Sequence, residues 1–189
     1  MADPLRPDLV DLDEVRVTHL GQYEVVASAF DTYHGELYSF LRRSTRDERA
    51  AEDLLQETFL RLTKEVEAGR SPEHVRAWLY KVATNLAVSR GRRASTAIAW
   101  LNTHGRQATT AHVESPESDV LAREGRSALE AALAALPTDA RTALLLSADG
   151  FNGEEIAAAI GRSHAATRTL LTRARVRVRL ALEQTGGAG

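Results

Sequence analysis

The chain has 189 residues, no cysteine, and 26 acidic against 24 basic residues, for a formal net charge of −2. The absence of cysteine excludes disulfides, iron–sulfur clusters and cysteine-ligated zinc. The six histidines show no metal-ligand spacing, so we expect neither a metal nor another cofactor. Strong helix formers dominate and alternating Val/Ile runs are absent, which predicts an all-α fold of two small helical domains joined by a flexible linker.

The charge is unevenly distributed along the chain. Residues 71–110 carry six basic side chains and one acidic one, and residues 161–189 carry the same numbers. Between them, residues 111–160 carry three basic and nine acidic side chains. The two basic segments each predict a surface that attracts phosphates, although solvated helix faces would leave the same pattern.

Residues 1–28 contain two early prolines and many aspartates, and we expect an acidic, partly disordered extension with at most a short helix near its end. The opening residues lack the basic-then-apolar order of a signal peptide. No apolar run is long enough to span a bilayer, so a cytoplasmic protein is expected.

The first domain is predicted over residues 29–94. Apolar residues at spacings of three and four begin a helix at Ala29, a second helix covers residues 51–66, and a third starts near Pro72 and ends at Arg93. A polar and apolar strip on the second helix has the same spacing and is a plausible docking face for a partner helix. Such faces are often merely solvated. The strip consists of Asp53, Gln56, Glu57 and Leu60.

The third helix interleaves aromatic and cationic side chains. An unstacked base can lie on an aromatic ring while cations follow the backbone, so this pattern suits single-stranded or melted DNA. Trp78 is better interpreted as filling a small helical core. The polar residues that lie outside the apolar face are candidate DNA contacts: Lys81, Asn85, Arg90, Arg92 and Arg93.

Residues 95–125 are rich in Ser, Thr, His and Gly and are predicted to be the linker. The second domain is predicted over residues 126–183, with a disordered tail at 184–189. Pro137 ends one helix, Thr138 is expected to cap the next, and Gly150 ends that one.

A short helix over residues 154–160, then Gly161, then an arginine-rich helix is the outline of a helix-turn-helix. Ser163 stands at the N-cap position of the second helix. The arginines predicted to neutralise phosphates are Arg168, Arg173 and Arg175, and the threonines predicted to meet base edges are Thr167, Thr169 and Thr172. The alternative is an amphipathic hairpin with a solvated arginine face. No phosphate loop, nucleophile elbow or metal pair is present, so we expect no enzyme.

Taken in order, three segments resemble the extracytoplasmic-function class (group IV) of the sigma-70 superfamily, the small two-domain initiation subunits of bacterial RNA polymerase. They are the blocks AEDLLQETFLRL at residues 51–62, RAWLYKVATNLA at 76–87, and LAALP at 133–137 leading into the helix-turn-helix. The resemblance covers residues 29–182. The last block also occurs in other regulators, whereas the ordered set is specific.

The resemblance implies a partner for each surface. Asp53, Gln56 and Glu57, with Leu60 beside them, would dock on the coiled-coil clamp of the largest polymerase subunit. The promoter −10 element would be bound by the loop at Arg70 and Ser71 together with Asn85 and the basic residues of the third helix. The −35 element would be bound by Ser163, Arg168, Thr169, Thr172, Arg173 and Arg175.

The resemblance also implies an anti-sigma partner, with the chain monomeric when free or in a 1:1 complex. A stand-alone helix-turn-helix regulator with a dimerisation or sensing module at its N-terminal end is the alternative. Ser89, Ala166, Thr167 and Leu170 depart from the usual pattern of the class. Because Leu170 replaces a usual arginine, we expect one phosphate contact to be lost.

Overall fold

The structure is a computed structural model that describes residues 12–103 and 120–186, all within or between seven α-helices. The all-α prediction is confirmed. The helices are α1 (Leu12–Thr45), α2 (Glu48–Glu67), α3 (Val75–Thr103), α4 (Val120–Ala134), α5 (Thr138–Ala148), α6 (Gly153–Ile160) and α7 (His164–Gly186). We call α1–α3 the front unit and α4–α7 the rear unit.

The front unit is a three-helix assembly built on α2. The side chain of Asp47 caps α2 by accepting a hydrogen bond from the Ala50 amide, 3.0 Å away. Leu54, Leu62 and Val66 recur at helical spacing and are buried against α1 and α3. The opposite face of α2 therefore remains in solvent.

The rear unit contains the predicted helix-turn-helix in α6 and α7. Asn152 and Glu155 form a capping box that starts α6 and that the sequence interpretation missed. Gly161 ends α6 in the left-handed conformation (φ 65°), which a residue without a Cβ atom adopts without strain. This turn redirects the chain into α7.

Several helix ends differ from the predictions. The first helix begins at Leu12 rather than Ala29, because after Pro7 only Gly21 interrupts a run of residues that tolerate helix. The third helix begins at Val75 rather than near Pro72 and continues to Thr103, into the predicted linker. Helix α4 begins at Val120, inside the predicted linker of residues 95–125, and α7 continues to Gly186, into the tail predicted to be disordered over residues 184–189. The other parts of the predicted extension, linker and tail, at residues 1–11, 104–119 and 187–189, lie outside the described residues.

The predicted cap of α5 is wrong. Pro137 occupies the N-cap position and makes no side-chain capping bond, while Thr138 is the first residue of the helix. The Thr138 side chain instead lies against Gly91 of α3, where a Cβ atom built on Gly91 would come within 2.6 Å of Thr138 Cβ. Thr138 is therefore a packing residue between the two units.

The front and rear units share a continuous core. Helix α5 packs against α1 and α3, and α6 packs against α3. Phe151, in the turn between α5 and α6, has its ring centroid 5.0 Å from that of Tyr80. The sequence predicted two domains on a linker, and the contact between them comes from the tertiary structure. Within residues 12–103 and 120–186, no helix combines the length and apolar character needed to cross a membrane.

Candidate nucleic-acid and polymerase interfaces

The strip predicted on α2 forms an exposed surface. Asp53 and Gln56 are exposed, Glu57 is half-buried, and Leu60 is 56% exposed although it is a large apolar residue. Glu57 accepts a hydrogen bond from Arg61 Nε at 2.9 Å, which holds its carboxylate along the helix. The strip thus offers carboxylate and amide oxygens beside an apolar side chain, as a docking face for a partner helix requires.

Three of the five candidate DNA contacts on α3 share one face of the helix. Lys81, Asn85 and Arg92 lie within about 40° of one another around a helix of 3.6 residues per turn. All three are exposed. We call them the α3 stripe. Ser89 and Arg93 lie beside the stripe, and Trp78 is half-buried against the core, as its interpretation as a core residue requires.

Two of the predicted −10 contacts, Arg90 and Arg70, lie away from the α3 stripe and are paired with carboxylates. Arg90 lies on the far side of α3 from the stripe and pairs with Asp47 at 3.6 Å. Arg70 makes a bidentate pair with Glu65, with N–O distances of 2.8 and 3.1 Å. This pair raises the pKa of Arg70 and lowers that of Glu65. DNA would have to displace a carboxylate from each arginine, whereas Ser71 is exposed and makes no such pair.

The exposed face of α7 is the side opposite Leu171 and Ala174, which are buried. Thr169 and Thr172 lie on this exposed arc, and Arg168 and Arg173 flank it. We call these four residues the α7 arc. Short hydroxyl side chains between two cations match an arrangement in which bases are read between two phosphate contacts.

The residues at the margins of α7 have other roles. Ser163 Oγ accepts a hydrogen bond from the Ala166 amide at 3.3 Å, so it caps the helix as predicted. Arg175 is exposed, but it donates to Ser147 Oγ at 2.9 Å and is turned toward α5. The prediction that Thr167 meets bases is wrong, because its side chain is fully buried and donates to the Ser163 carbonyl.

Both units match known protein families. Residues 29–96 match Sigma-70 region 2, and residues 126–178 match Sigma-70 region 4. The chain is 30% identical over 153 residues to the ECF RNA polymerase sigma factor SigM of Bacillus subtilis, covering 79% of this chain and 90% of that protein. The chain belongs to the extracytoplasmic-function sigma factors. The family prediction made from the ordered sequence blocks is confirmed.

Other sigma factors extend the comparison. The chain is 33% identical over 154 residues to the probable RNA polymerase sigma factor RfaY of Xanthomonas campestris, covering 74% of this chain but only 36% of that longer relative. The solved structure of the sigma factor RpoE in complex with the anti-sigma factor NepR from Bartonella quintana has a TM-score of 0.60. It covers 83% of this chain and 96% of RpoE at 23% identity, so this likeness concerns the fold.

Leu170, which stands where the sigma factors of this class usually have an arginine, has a packing role in this structure. Leu170 is half-buried and packs beside Leu136, Ala140 and Ala174, on the side of α7 away from the α7 arc. An arginine at this position would lie against apolar side chains unless it extended past them. Leu170 therefore completes the packing of α4 and α5 on α7, on a side of the helix where an arginine would not reach the surface of the α7 arc.

The sequence interpretation of this sigma factor missed Arg141, whose side chain is 5% exposed. Its guanidinium donates to the Ser44 carbonyl from Nη2 at 2.6 Å and from Nε at 3.0 Å, and to the Leu136 carbonyl from Nη1 at 3.3 Å. Burial lowers the pKa of Arg141 to about 10, and the charge of Arg46 acts in the same direction. Arg141 therefore remains protonated at neutral pH.

Proposed function

We propose that this chain binds core RNA polymerase and directs promoter-specific initiation of transcription by binding the −35 and −10 elements and melting the −10 region. The observation that carries the proposal is that one chain holds three separate exposed surfaces. These are the α2 strip, the α3 stripe and the α7 arc, distributed over segments that match Sigma-70 regions 2 and 4.

Each surface has a role that fits its chemistry. The α2 strip docks on the coiled-coil clamp of the largest polymerase subunit through carboxylates and Leu60. The α3 stripe, with Ser71 and Arg93, holds the melted −10 strand. The α7 arc enters the −35 major groove, where Arg168 and Arg173 contact phosphates and the threonines lie at base edges.

The charge distribution explains why such a protein would need the polymerase. A net charge of −2 gives the free chain little overall attraction for DNA, although its two basic surfaces attract phosphates locally. Binding to polymerase would present both surfaces to one promoter and make the second contact intramolecular. The chain acts through binding rather than catalysis, in the cytoplasm where polymerase and promoter meet.

A binding assay followed by promoter-dependent transcription tests the proposal. The tagged full-length chain is expected to capture purified core polymerase and to support run-off transcription from its promoter. A stand-alone helix-turn-helix regulator would give the opposite pair of results, with tight operator binding by the isolated chain and no polymerase capture. That pair would contradict the proposal.

An anti-sigma protein is the second proposed partner. The solved structure of RpoE with similar fold holds the anti-sigma factor NepR. We expect this chain to be monomeric when free and to form a 1:1 complex with such a protein. Size-exclusion chromatography with light scattering on the free chain and on the chain co-purified from its host tests both expectations.

A further inference from the structure

Arginine side chains join the two units by binding the ends of helices. Arg141 of the rear unit donates to the carbonyl of Ser44 in the last turn of α1. In the reverse direction, Arg46 of the front unit donates to the carbonyl of Ala134, the last residue of α4, at 3.2 Å. Each arginine therefore binds the C-terminal end of a helix that belongs to the other unit.

A third contact repeats this pattern and includes a candidate DNA contact. Arg92 Nη2 donates to the carbonyl of Ile160 at 3.0 Å. Ile160 is the last residue of α6, the first helix of the helix-turn-helix. The cation at the end of the α3 stripe is thus bound to the rear unit in this structure.

The chemistry of helix ends explains why arginine side chains bind there. The last carbonyls of an α-helix have no partner within the helix, and they carry the negative end of its dipole. A guanidinium offers several fixed donors and a positive charge, so it satisfies these carbonyls well. Water or a phosphate can replace a carbonyl as the partner of Arg92, which makes this contact exchangeable.

We propose that these three contacts form an autoinhibitory latch, which we call the arginine latch, that holds the free chain closed and competes with the −10 strand for Arg92. The part that concerns DNA rests on the proposed function. The latch opens when the rear unit moves away from α3, and the Arg92 guanidinium, which lies beside Lys81 and Asn85 on the α3 stripe, is then released from the Ile160 carbonyl.

The closed arrangement also places the rear unit opposite the segment that leads into α3. Across a cleft of about 470 Å³, Glu73 and His74 face Gly150 and Phe151 of the turn between α5 and α6. The Phe151 ring lies 5.3 Å from the Arg76 guanidinium carbon. A DNA strand that approached Ser71 and the start of α3 would meet this turn.

The contact between Gly91 and Thr138 allows the latch to be opened without changing any arginine. A Cβ atom at Gly91 would lie 2.6 Å from both Cβ and Oγ1 of Thr138, and its three nearest neighbours all belong to that side chain. Alanine is also a better helix former than glycine, so Gly91→Ala does not weaken α3 itself. The substitution is therefore a wedge between the units.

Two further variants control the wedge. Gly35→Ala in α1 is a matched control, because nothing lies within 4 Å of a Cβ atom built there. Gly91→Ala combined with Thr138→Gly removes the atoms that the new methyl group meets and is expected to restore the closed state. Since the chain has no cysteine, K64C and R177C introduce two unique spin-labelling sites at exposed positions of the two units.

Pulsed electron paramagnetic resonance on the full, labelled chain measures the distance between the units. The parent and Gly35→Ala are expected to give the same narrow distribution, Gly91→Ala a longer and broader one, and the double variant the parental one. A broad distribution in the parent, or a parental one in Gly91→Ala, would overturn the latch. This readout does not depend on promoter or polymerase binding.

Fluorescence anisotropy then tests the competition for Arg92, with a labelled random-sequence pool of single-stranded 12-mer DNA as the probe. Gly91→Ala is expected to bind the pool several-fold more tightly than the parent, and adding Arg92→Gln is expected to remove the gain. Opening of the units without this gain would overturn the competition and with it the −10 role of Arg92, while leaving polymerase docking by the α2 strip unaffected.

Discussion

The Nη2 atom of Arg141 lies 2.6 Å from the carbonyl oxygen of Ser44. A buried cation thus joins the two units through the end of a helix rather than through a carboxylate. Desolvation of the guanidinium opposes this arrangement, as its lowered pKa indicates, and the hydrogen bonds to Ser44 and Leu136 offset that cost. The Arg141 contact therefore stabilises the packing of the rear unit against the end of α1.

Replacing this buried cation is expected to destabilise the fold. Arg141→Met keeps the length of the side chain but leaves the Ser44 and Leu136 carbonyls without their donor. We expect the free energy of unfolding to fall by roughly 1–3 kcal/mol, measured by urea denaturation. Arg177→Met, at an exposed position, is the matched control and should change it by less than about 0.5 kcal/mol. Equal effects of the two variants would contradict the role of Arg141.

Two buried threonines should respond in opposite directions to the same substitution. Thr84 is fully buried and its hydroxyl has no hydrogen-bond partner, whereas the equally buried Thr58 hydroxyl donates to the Leu54 carbonyl at 2.7 Å. Thr84→Val should therefore raise the free energy of unfolding by about 1 kcal/mol, and Thr58→Val should lower it by roughly 0.5–1 kcal/mol. Thermal and urea unfolding of both variants check the signs. A loss of stability in Thr84→Val would mean that its hydroxyl does find a partner.

The ionisation of Tyr80 is expected to make the stability of the fold depend on pH in the alkaline range. Burial raises its pKa from 10.0 to about 12, with Glu36 and Asp149 acting in the same direction and Arg76 opposing them. A raised pKa in the folded state contributes stability that is complete below pH 10.0 and is lost as the pH rises toward about 12. In an ultraviolet titration of tyrosinate absorbance, Tyr80→Phe should remove a component that titrates near pH 12. If that component survives in Tyr80→Phe, another tyrosine is responsible.

The α2 strip gives a direct test of polymerase docking. Asp53→Ala removes an exposed carboxylate from the N-terminal end of the strip, so affinity for core polymerase should fall roughly tenfold while the circular dichroism spectrum stays unchanged. Glu52→Ala removes the same charge from the neighbouring position, about 100° around the helix, and should have a much smaller effect. Equal losses would show that overall charge, and not the strip, governs binding.

Arg173 on the α7 arc is expected to contact a phosphate. Arg173→Ala should weaken binding of polymerase holoenzyme to promoter DNA and reduce the slope of log K against log salt concentration by about 0.9. Arg177→Ala removes an equal charge one turn further along the same helix, beyond the four residues of the arc, and should reduce the slope by less. An unaltered slope in Arg173→Ala would argue against a phosphate contact at this position.

The sequence by itself determined the helices, the order of the two units, the family and the α2 strip. The helices and the α2 strip depend on local spacing, since residues three and four apart share a helix face whatever lies around it. The family follows from the order of three motif blocks along the chain. The α7 arc was also predictable, but the burial of the neighbouring Thr167 was not, because it depends on how deeply α7 sits on α5 and α6.

Only the tertiary structure decided which polar groups meet across the two units. Ser44 and Arg141 are separated by 97 positions, and Arg92 and Ile160 by 68, so no periodicity in the chain relates them. The partners are backbone carbonyls, which every residue has, and the sequence therefore carries no mark of them. Thr138 is a second residue whose role could not be predicted from the sequence. Its type suits a helix cap, yet the close approach of Gly91 makes it a packing residue, because packing depends on where the helices cross rather than on local preference.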